Sequence, residues 1–311
     1  MDPWSADRLA ADAKGISASR RTDIPGLFAR WFARRLEAGY VEFIPAGPPR
    51  RLRRSLLPRD VTHFNFWSKW PRPLFESLQR LQQVGYPTLW NVTITGLGSS
   101  AVEPHVPSAD RAADAVVELA GRVPPAAILW RYDPLFLSRR FDRRHHRTTF
   151  RRLARQLQGK VDRVVISPLH HYRRQVVPDL GAYQRETGDL VLDDPAATVE
   201  LARELATIAG EHRLPLTVCC APELRAALGV ERAACNGFAW ARRVYPELAR
   251  HPGLKNRPCR PDCGCSEEVD IGVYDTCVLG CRYSYGSCNL ERARENFARH
   301  DPAAAAILPA K

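Results

Sequence analysis

The chain has 311 residues, 45% hydrophobic and 26% charged, with 46 Lys and Arg against 34 Asp and Glu and a formal net charge of +12. That balance suits a folded protein of one large or two small domains and excludes disorder over most of its length. No apolar run approaches the roughly 20 residues that span a bilayer, and Met1-Asp2-Pro3-Trp4-Ser5-Ala6-Asp7 lacks the layout of a secretion signal, so a cytoplasmic location is expected.

Residues 16–19 predict a short strand, and Leu27, Phe28, Trp31, Phe32 and Leu36 then recur at helical spacing. A second strand is expected at 41–44, broken by the proline-rich turn at 45–49. Residues 61–67 alternate and end at Pro71, and residues 89–95 form the clearest strand, stopped by Gly96 and Gly98. Further strands are predicted at 126–130, 163–167 and 216–219, with helices at 73–84, 108–121, 143–158 and 195–212 between them. This alternation predicts an α/β fold with a parallel sheet and crossover helices. Residues 1–250 are expected to form a complete or partial (β/α) barrel, with an open doubly wound sheet as the rival. From about 250 the pattern gives way to Pro, Gly, Asp and Cys. Residues 251–311 are therefore expected to be a cysteine-rich segment organised by metal and docked on the barrel, with 302–311 a frayed end.

In parallel α/β folds chemistry gathers at the C-terminal ends of the strands. Here those ends carry Arg20, Arg21 and Asp23, then Lys69, then Thr93 with Glu103 soon after, then Arg131 and Asp133, and finally Ser167 with His170 and His171. The cations suit a phosphate- or carboxylate-bearing ligand, so Arg20, Arg21, Thr93, Arg131 and Ser167 are candidate substrate-binding residues. Asp23, Lys69, Glu103 and Asp133 are the candidate catalytic residues. Each alone is equally explained as a cap or ion pair, and Asp23 before Ile24-Pro25 and Asp133 before Pro134 have the form of N-caps.

All nine cysteines lie between Cys219 and Cys288. Clustering of this kind, in a chain too large for a disulfide-built fold, points to metal. Cys219 and Cys220 end the last predicted strand, Cys235 stands alone, and Cys259, Cys263 and Cys265 form Cys-x3-Cys-x-Cys. Cys277 and Cys281 form Cys-x3-Cys, with Cys288 seven residues on. The Cys-x2-Cys knuckle usual in zinc ribbons is absent. The wider spacings suit an iron–sulfur cubane better, with zinc as the alternative.

Several of these stretches carry a resemblance. Residues 16–25, Phe66-Trp67-Ser68-Lys69, Thr93-Ile94-Thr95-Gly96, Glu103-Pro104 and Trp130-Arg131-Tyr132-Asp133-Pro134 are similar to a bacterial family called domain of unknown function 1848. So are Cys263-Gly264-Cys265, residues 269–277 and Gly280-Cys281-Arg282-Tyr283. The family brings no settled activity, but the resemblance implies a barrel-like fold and a cysteine-rich C-terminal region. The family's Cys-x3-Cys-x2-Cys-Tyr loop resembles that of radical S-adenosylmethionine enzymes and spore photoproduct lyase, where three thiolates hold a [4Fe–4S] cluster. Cys277 and Cys281 match its first two cysteines, while Ser284 stands at the third. A third ligand then comes from Cys288, from a different ligand set, or not at all. By the same resemblance Cys220, Cys235, Cys263 and Cys265 form a second, four-thiolate set.

Two functions follow as expectations. One is an iron–sulfur enzyme of the radical S-adenosylmethionine type, a lyase or oxidoreductase, acting on an anionic small molecule or nucleotide and needing an electron donor. The other is a zinc- or cluster-stabilised nucleic-acid-binding protein, suggested by the net charge and by the arginines at 50–59 and 139–155.

Overall fold

The computed structural model describes residues 3–46, 50–173, 176–258, 260–287 and 289–308. Cys259 and Cys288, the latter an expected metal ligand, lie outside them. In chain order the elements are β1 (Lys14–Ala18), α1 (Ile24–Leu27), α2 (Ala29–Ala38), β2 (Tyr40–Phe43), β3 (Leu52–Ser55), β4 (Val61–Ser68) and α3 (Phe75–Val84). Then come β5 (Thr88–Thr93), α4 (Ala109–Ala120), β6 (Ile128–Leu135), α5 (Arg143–Leu157), β7 (Arg163–Pro168) and α6 (Val176–Thr187). The chain closes with α7 (Pro195–Glu211), β8 (Leu216–Val218), α8 (Pro222–Leu228), α9 (Phe238–Val244), β9 (Glu268–Asp270) and α10 (Leu290–Ala298).

Seven strands form one parallel sheet in the order β8-β7-β6-β5-β4-β1-β9. Its edges, β8 and β9, are not hydrogen-bonded to each other, so the sheet is open and no closed barrel forms among the described residues. Residues 41–44 depart from the expected layout. Instead of joining the sheet, β2 pairs antiparallel with β3 as a separate hairpin. The arginine-rich stretch after the 45–49 turn therefore contains a strand that its charge concealed. Two further departures lie in the tail. β9 is an edge strand of the main sheet, and residues 302–308 are not frayed. The Ala304 carbonyl accepts from Trp31 Nε1 at 3.0 Å, the Ala305 carbonyl from Glu42 N at 2.9 Å, and Ile307 is buried. No helix among the described residues is long and apolar enough to cross a membrane.

Strand side chains alternate between two faces. One face, with Phe64, Phe66, Trp90, Val92, Trp130, Tyr132, Val164 and Ile166, packs against the apolar stripes of α2, α3, α4, α5 and α7 and forms the main core. Phe66 and Trp90 meet at 4.4 Å and Trp130 stacks on Phe150 at 4.7 Å. The other face presents Leu89, Leu129 and Val165 to Cys235, Phe238, Trp240, Ala241, Leu248 and Cys265. The segment between β8 and β9 thus covers the inner face of the sheet, and this places the cysteines there.

His146 is buried on α5 between two strand-end partners, Tyr132 OH at 2.7 Å from Nδ1 and the Phe136 carbonyl at 2.7 Å from Nε2. Burial, against the hydrogen bond to Phe136, lowers its pKa from 6.5 to about 4. The unfolded chain takes up this proton near pH 6.5 and the folded one does not. Stability should therefore be full above that pH and fall by up to about 3 kcal/mol as pH drops to 4. Thermal melts across that range should give a shallower slope for His146→Leu than for the wild type.

Candidate functional site

Five cysteines converge on the inner face of the sheet. Cys219 follows β8 on the same face as Thr217, whereas alternation alone would turn Cys220 the other way. Cys220 instead adopts φ +51°, a left-handed conformation costly for a residue with a Cβ, and its sulfur comes to 3.6 Å from that of Cys219. Cys220 and Cys263, Cys263 and Cys265, Cys265 and Cys235, and Cys235 and Cys219 are near enough to perturb one another's titration. The five thiols are thus neighbours around a ring-like group. Four of its members, Cys220, Cys235, Cys263 and Cys265, are the set expected from the sequence, and Cys219 is the addition.

The ring is held from below by polar side chains of the strands. Asn91 Nδ2 donates to the Cys235 carbonyl at 2.9 Å and to Asn65 Oδ1 at 2.9 Å, and Asn65 Nδ2 donates to the same carbonyl at 3.3 Å. Asn65 also donates to Glu268 on β9 at 3.1 Å, and Glu268 pairs with His63 Nε2 at 3.0 Å. Gly15 faces this pair, and a Cβ there would lie 2.7 Å from the His63 ring. The loops carrying Cys235 and Cys265 are joined by Ser266 N to the Asn236 carbonyl at 3.2 Å and Phe238 N to Ser266 Oγ at 2.8 Å.

Two guanidinium groups flank the thiols. Arg131 Nη1 lies 2.6 Å from Cys235 Sγ, and Arg260 Nη2 lies 3.9 Å from Cys219 Sγ while its Nη1 donates to Tyr172 OH at 2.9 Å. All the ring thiols with a resolved shift have raised pKa values. The contact with Cys235 lowers Cys265, but the contact with Cys263 and burial outweigh it and push it up to about 12. For Cys235 the contact with Cys219 is the lowering one, outweighed by Cys265 and burial, and the value rises to about 11. Among the described residues no three His, Cys, Asp or Glu side chains are set to hold a single ion as they stand. A tetrahedral zinc site with Zn–S of about 2.3 Å needs sulfurs roughly 3.8 Å apart in every pairing, close to the 3.6 Å between Cys219 and Cys220, whereas a cluster spreads its ligands over several irons.

The strand ends hold three ion-pair groups. Lys69 Nζ donates to Glu103 Oε1 at 2.8 Å and to Tyr283 OH at 2.8 Å, and Glu103 also accepts from Thr95 Oγ1 at 2.7 Å and from Tyr283 OH. Burial pulls the Lys69 pKa down, but Glu103 and other nearby acids outweigh it and the value is raised. Arg131 pairs with Asp133, whose other oxygen accepts from Ser167 Oγ. Arg20 and Arg21 both serve Asp270 of β9, at 3.7 Å and 3.2 Å, with Ser19 Oγ on the same carboxylate at 2.5 Å. Asp23 is the N-cap of α1, accepting from Gly26 N at 2.8 Å and from Lys69 N at 2.8 Å. Burial raises its pKa despite these hydrogen bonds. Asp133, by contrast, caps no helix, because Asp133 and Pro134 lie within β6. Thr93 lies on the inner face at the end of β5.

Cys277 and Cys281 lie apart from the ring, beside Asp23, Lys69 and Glu103. Burial, helped by the Asp23 carboxylate, pushes Cys277 up to about 11, and burial outweighs the pull of Lys69 on Cys281. Ser284 is engaged locally, its Oγ accepting from Gly286 N at 3.1 Å. Asp270, Tyr283, Arg260 and the two asparagines were not legible as site residues. The asparagines had a signal, since polar residues alternate with Phe64, Phe66 and Trp90 along β4 and β5.

On the outer surface, a groove lined by Arg144, Arg147, Arg151, Arg152, Arg155 and His212 runs along α5. Arg143 and Arg147 pair with Glu204, Arg151 with Glu211 and Arg152 with Asp110.

A family model described as Domain of unknown function (DUF1848) matches residues 16–286. No curated protein matches the chain. Among solved structures, the carboxyl transferase domain from Rhizobium etli pyruvate carboxylase, with pyruvate and biocytin, is similar at 12% identity and a TM-score of 0.32. The match covers 76% of this chain and 34% of that one, so the chain spans about a third of its length, and so remote a likeness bears on neither fold nor function.

Proposed function

Because the chain belongs to the DUF1848 family, whose description names no activity, we propose from the geometry that it is an iron–sulfur protein. Its cluster would be held on the inner face of the sheet by four of the five ring thiols. The observation that carries this reading is the convergence of Cys219, Cys220, Cys263, Cys265 and Cys235 between Arg131 and Arg260. Thiolates are soft ligands suited to iron–sulfur clusters and zinc, and the lack of a Cys-x2-Cys knuckle favours the cluster. Such a centre carries net negative charge, which two adjacent guanidiniums offset. Bound there, the cluster would supply one-electron chemistry. The chain's own residues would hold it by thiolate and place it next to Arg131, Asp133 and Ser167, where an anionic substrate can meet it.

A second reading keeps a radical S-adenosylmethionine-like site at Cys277 and Cys281. It is favoured by their half-buried position beside Lys69 and Glu103, with Cys288 as a further thiol in the sequence.

Anaerobic reconstitution with iron and sulfide separates these readings. The wild type and Cys277→Ser/Cys281→Ser should develop absorption near about 400 nm, and Cys235→Ser/Cys265→Ser should not. The reverse pattern would move the cluster to the tail pair. Tight zinc uptake with no iron–sulfur band in any variant would replace the cluster with a structural zinc.

A further inference from the structure

We infer that Cys219 and Cys220 form a reversible dithiol–disulfide couple. Cys220 attacks a small-molecule disulfide such as oxidised glutathione, and Cys219 resolves the adduct. The couple needs no metal and does not rest on the iron–sulfur reading.

Both thiols are free, Cys219 buried and Cys220 half-buried, and their sulfurs lie 3.6 Å apart. Strand alternation would turn neighbouring side chains to opposite sides. The left-handed φ of +51° at Cys220 brings them together, in a conformation disfavoured for a residue with a Cβ and kept only where the surroundings impose it. Here both flanks impose it. Cys219 N donates to the Ile166 carbonyl of β7 at 2.9 Å, and on the other side Pro222 starts α8, with Arg225 N donating to the Ala221 carbonyl at 2.9 Å. Cys235 and Cys263 sit on separate loops, whereas Cys219 and Cys220 are one dipeptide, so joining them closes no long loop. The Cα atoms of adjacent residues are about 3.8 Å apart, below the roughly 4.4–6.8 Å usual for disulfides, so such a bond is readily reduced. Labile bonds of this kind are the regulatory or catalytic ones.

The exchange balances without a metal. The Cys220 thiolate attacks one sulfur of oxidised glutathione and expels one glutathione thiolate, leaving a mixed disulfide. The Cys219 thiolate then attacks the Cys220 sulfur and expels the second. Two protein thiols are oxidised, one glutathione disulfide is reduced to two thiols, and the cysteine protons pass to the leaving thiolates. Cys220 is the attacking residue because it is the more accessible of the pair. The disulfide and any centre liganded by Cys220 exclude each other, so the test uses metal-free protein.

The full chain, stripped with a chelator, is equilibrated with excess oxidised glutathione, quenched, digested with trypsin and weighed by mass spectrometry. Both cysteines fall in one tryptic peptide, 214–225, whereas Cys235 falls in 233–242 and Cys263 in 256–282. In the wild type most of peptide 214–225 should become lighter by two hydrogens and resist alkylation, and excess reduced glutathione should reverse this. Cys219→Ser should stop at a single glutathione on Cys220. Cys220→Gly, which suits the left-handed turn, should leave the buried Cys219 unmodified. A wild-type peptide that stays reduced, or that links to the Cys235 or Cys263 peptide, overturns the couple. Glutathione on Cys219 in Cys220→Gly overturns the assignment of the attacking thiol. Should either variant fail to fold, the wild-type peptide mass still decides whether the bond forms. Because iron plays no part in this measurement, its failure leaves the iron–sulfur reading standing, and a failed reconstitution leaves the couple standing.

Discussion

Lys69→Met should lower the free energy of unfolding by about 3–5 kcal/mol, and adding Glu103→Gln should restore at least half of that loss. Glu103 is 1% exposed and receives three donors, of which only the Lys69 ammonium carries charge. Removing the lysine leaves a buried carboxylate with two hydroxyl donors and no counter-charge, whereas neutralising both partners removes the problem together with the pair. Chemical denaturation of the four proteins of this cycle gives the coupling energy. A large coupling means that Lys69 and Glu103 fasten the loop after β5 to Tyr283 and the C-terminal segment. A coupling near zero, with Lys69→Met as stable as the wild type, would overturn this and leave the lysine available for chemistry, as its position at a strand end first suggested.

The same ambiguity explains how much of the site was legible from sequence. The regular parts of the fold could be read because apolar spacing reports on burial directly. The helix expected at 195–212 is observed at Pro195–Glu211, and the strand at 61–67 is observed at Val61–Ser68. The hidden elements lack that signal. β9 is three residues whose Glu268 and Asp270 face polar partners, so its sequence reads as tail. β3 carries Arg53 and Arg54 because its hairpin lies outside the main sheet. At the strand ends, sequence located the charged residues but could not assign their partners. Arg20 and Arg21 find Asp270 about 250 residues away, and that long-range pairing depends on β9 joining the sheet. The fifth ring thiol was missed for a local reason. Cys219 and Cys220 share one side only because Cys220 is left-handed, which strand alternation does not anticipate.

Net charge was the least informative feature. The arginines of α5 that suggested a nucleic-acid surface largely face carboxylates of α7 and α4, so their charge is neutralised locally, while the net excess of +12 is unchanged by such pairs. In the groove along α5, Arg144 and Arg155 form no ion pair among the described residues. If it binds nucleic acid through phosphate contacts, affinity must fall steeply between low and moderate salt.

His63→Leu should be the most damaging single change under the ring, costing about 3–5 kcal/mol by stranding Glu268. Both side chains are fully buried, at 0% exposure, and lie 3.0 Å apart, with Thr62 Oγ1 3.0 Å from the other ring nitrogen of His63. Without the imidazole, Glu268 retains only the Asn65 amide, and the β9 edge loses its anchor. If the thiols hold the proposed cluster, the effect should reach it, because Asn65 and Asn91 hold the Cys235 carbonyl. Asn91→Ala tests that link with less damage to the fold. It removes one donor, for about 1–3 kcal/mol, and should weaken cluster retention about 10–100-fold, the usual penalty for losing a group that orients a ligand. Iron release to a chelator, followed at 400 nm, compares the three proteins. Release as slow as wild type from a folded Asn91→Ala protein would mean that the ring is positioned by its own loops, through Ser266, and that the polar floor beneath it serves stability alone.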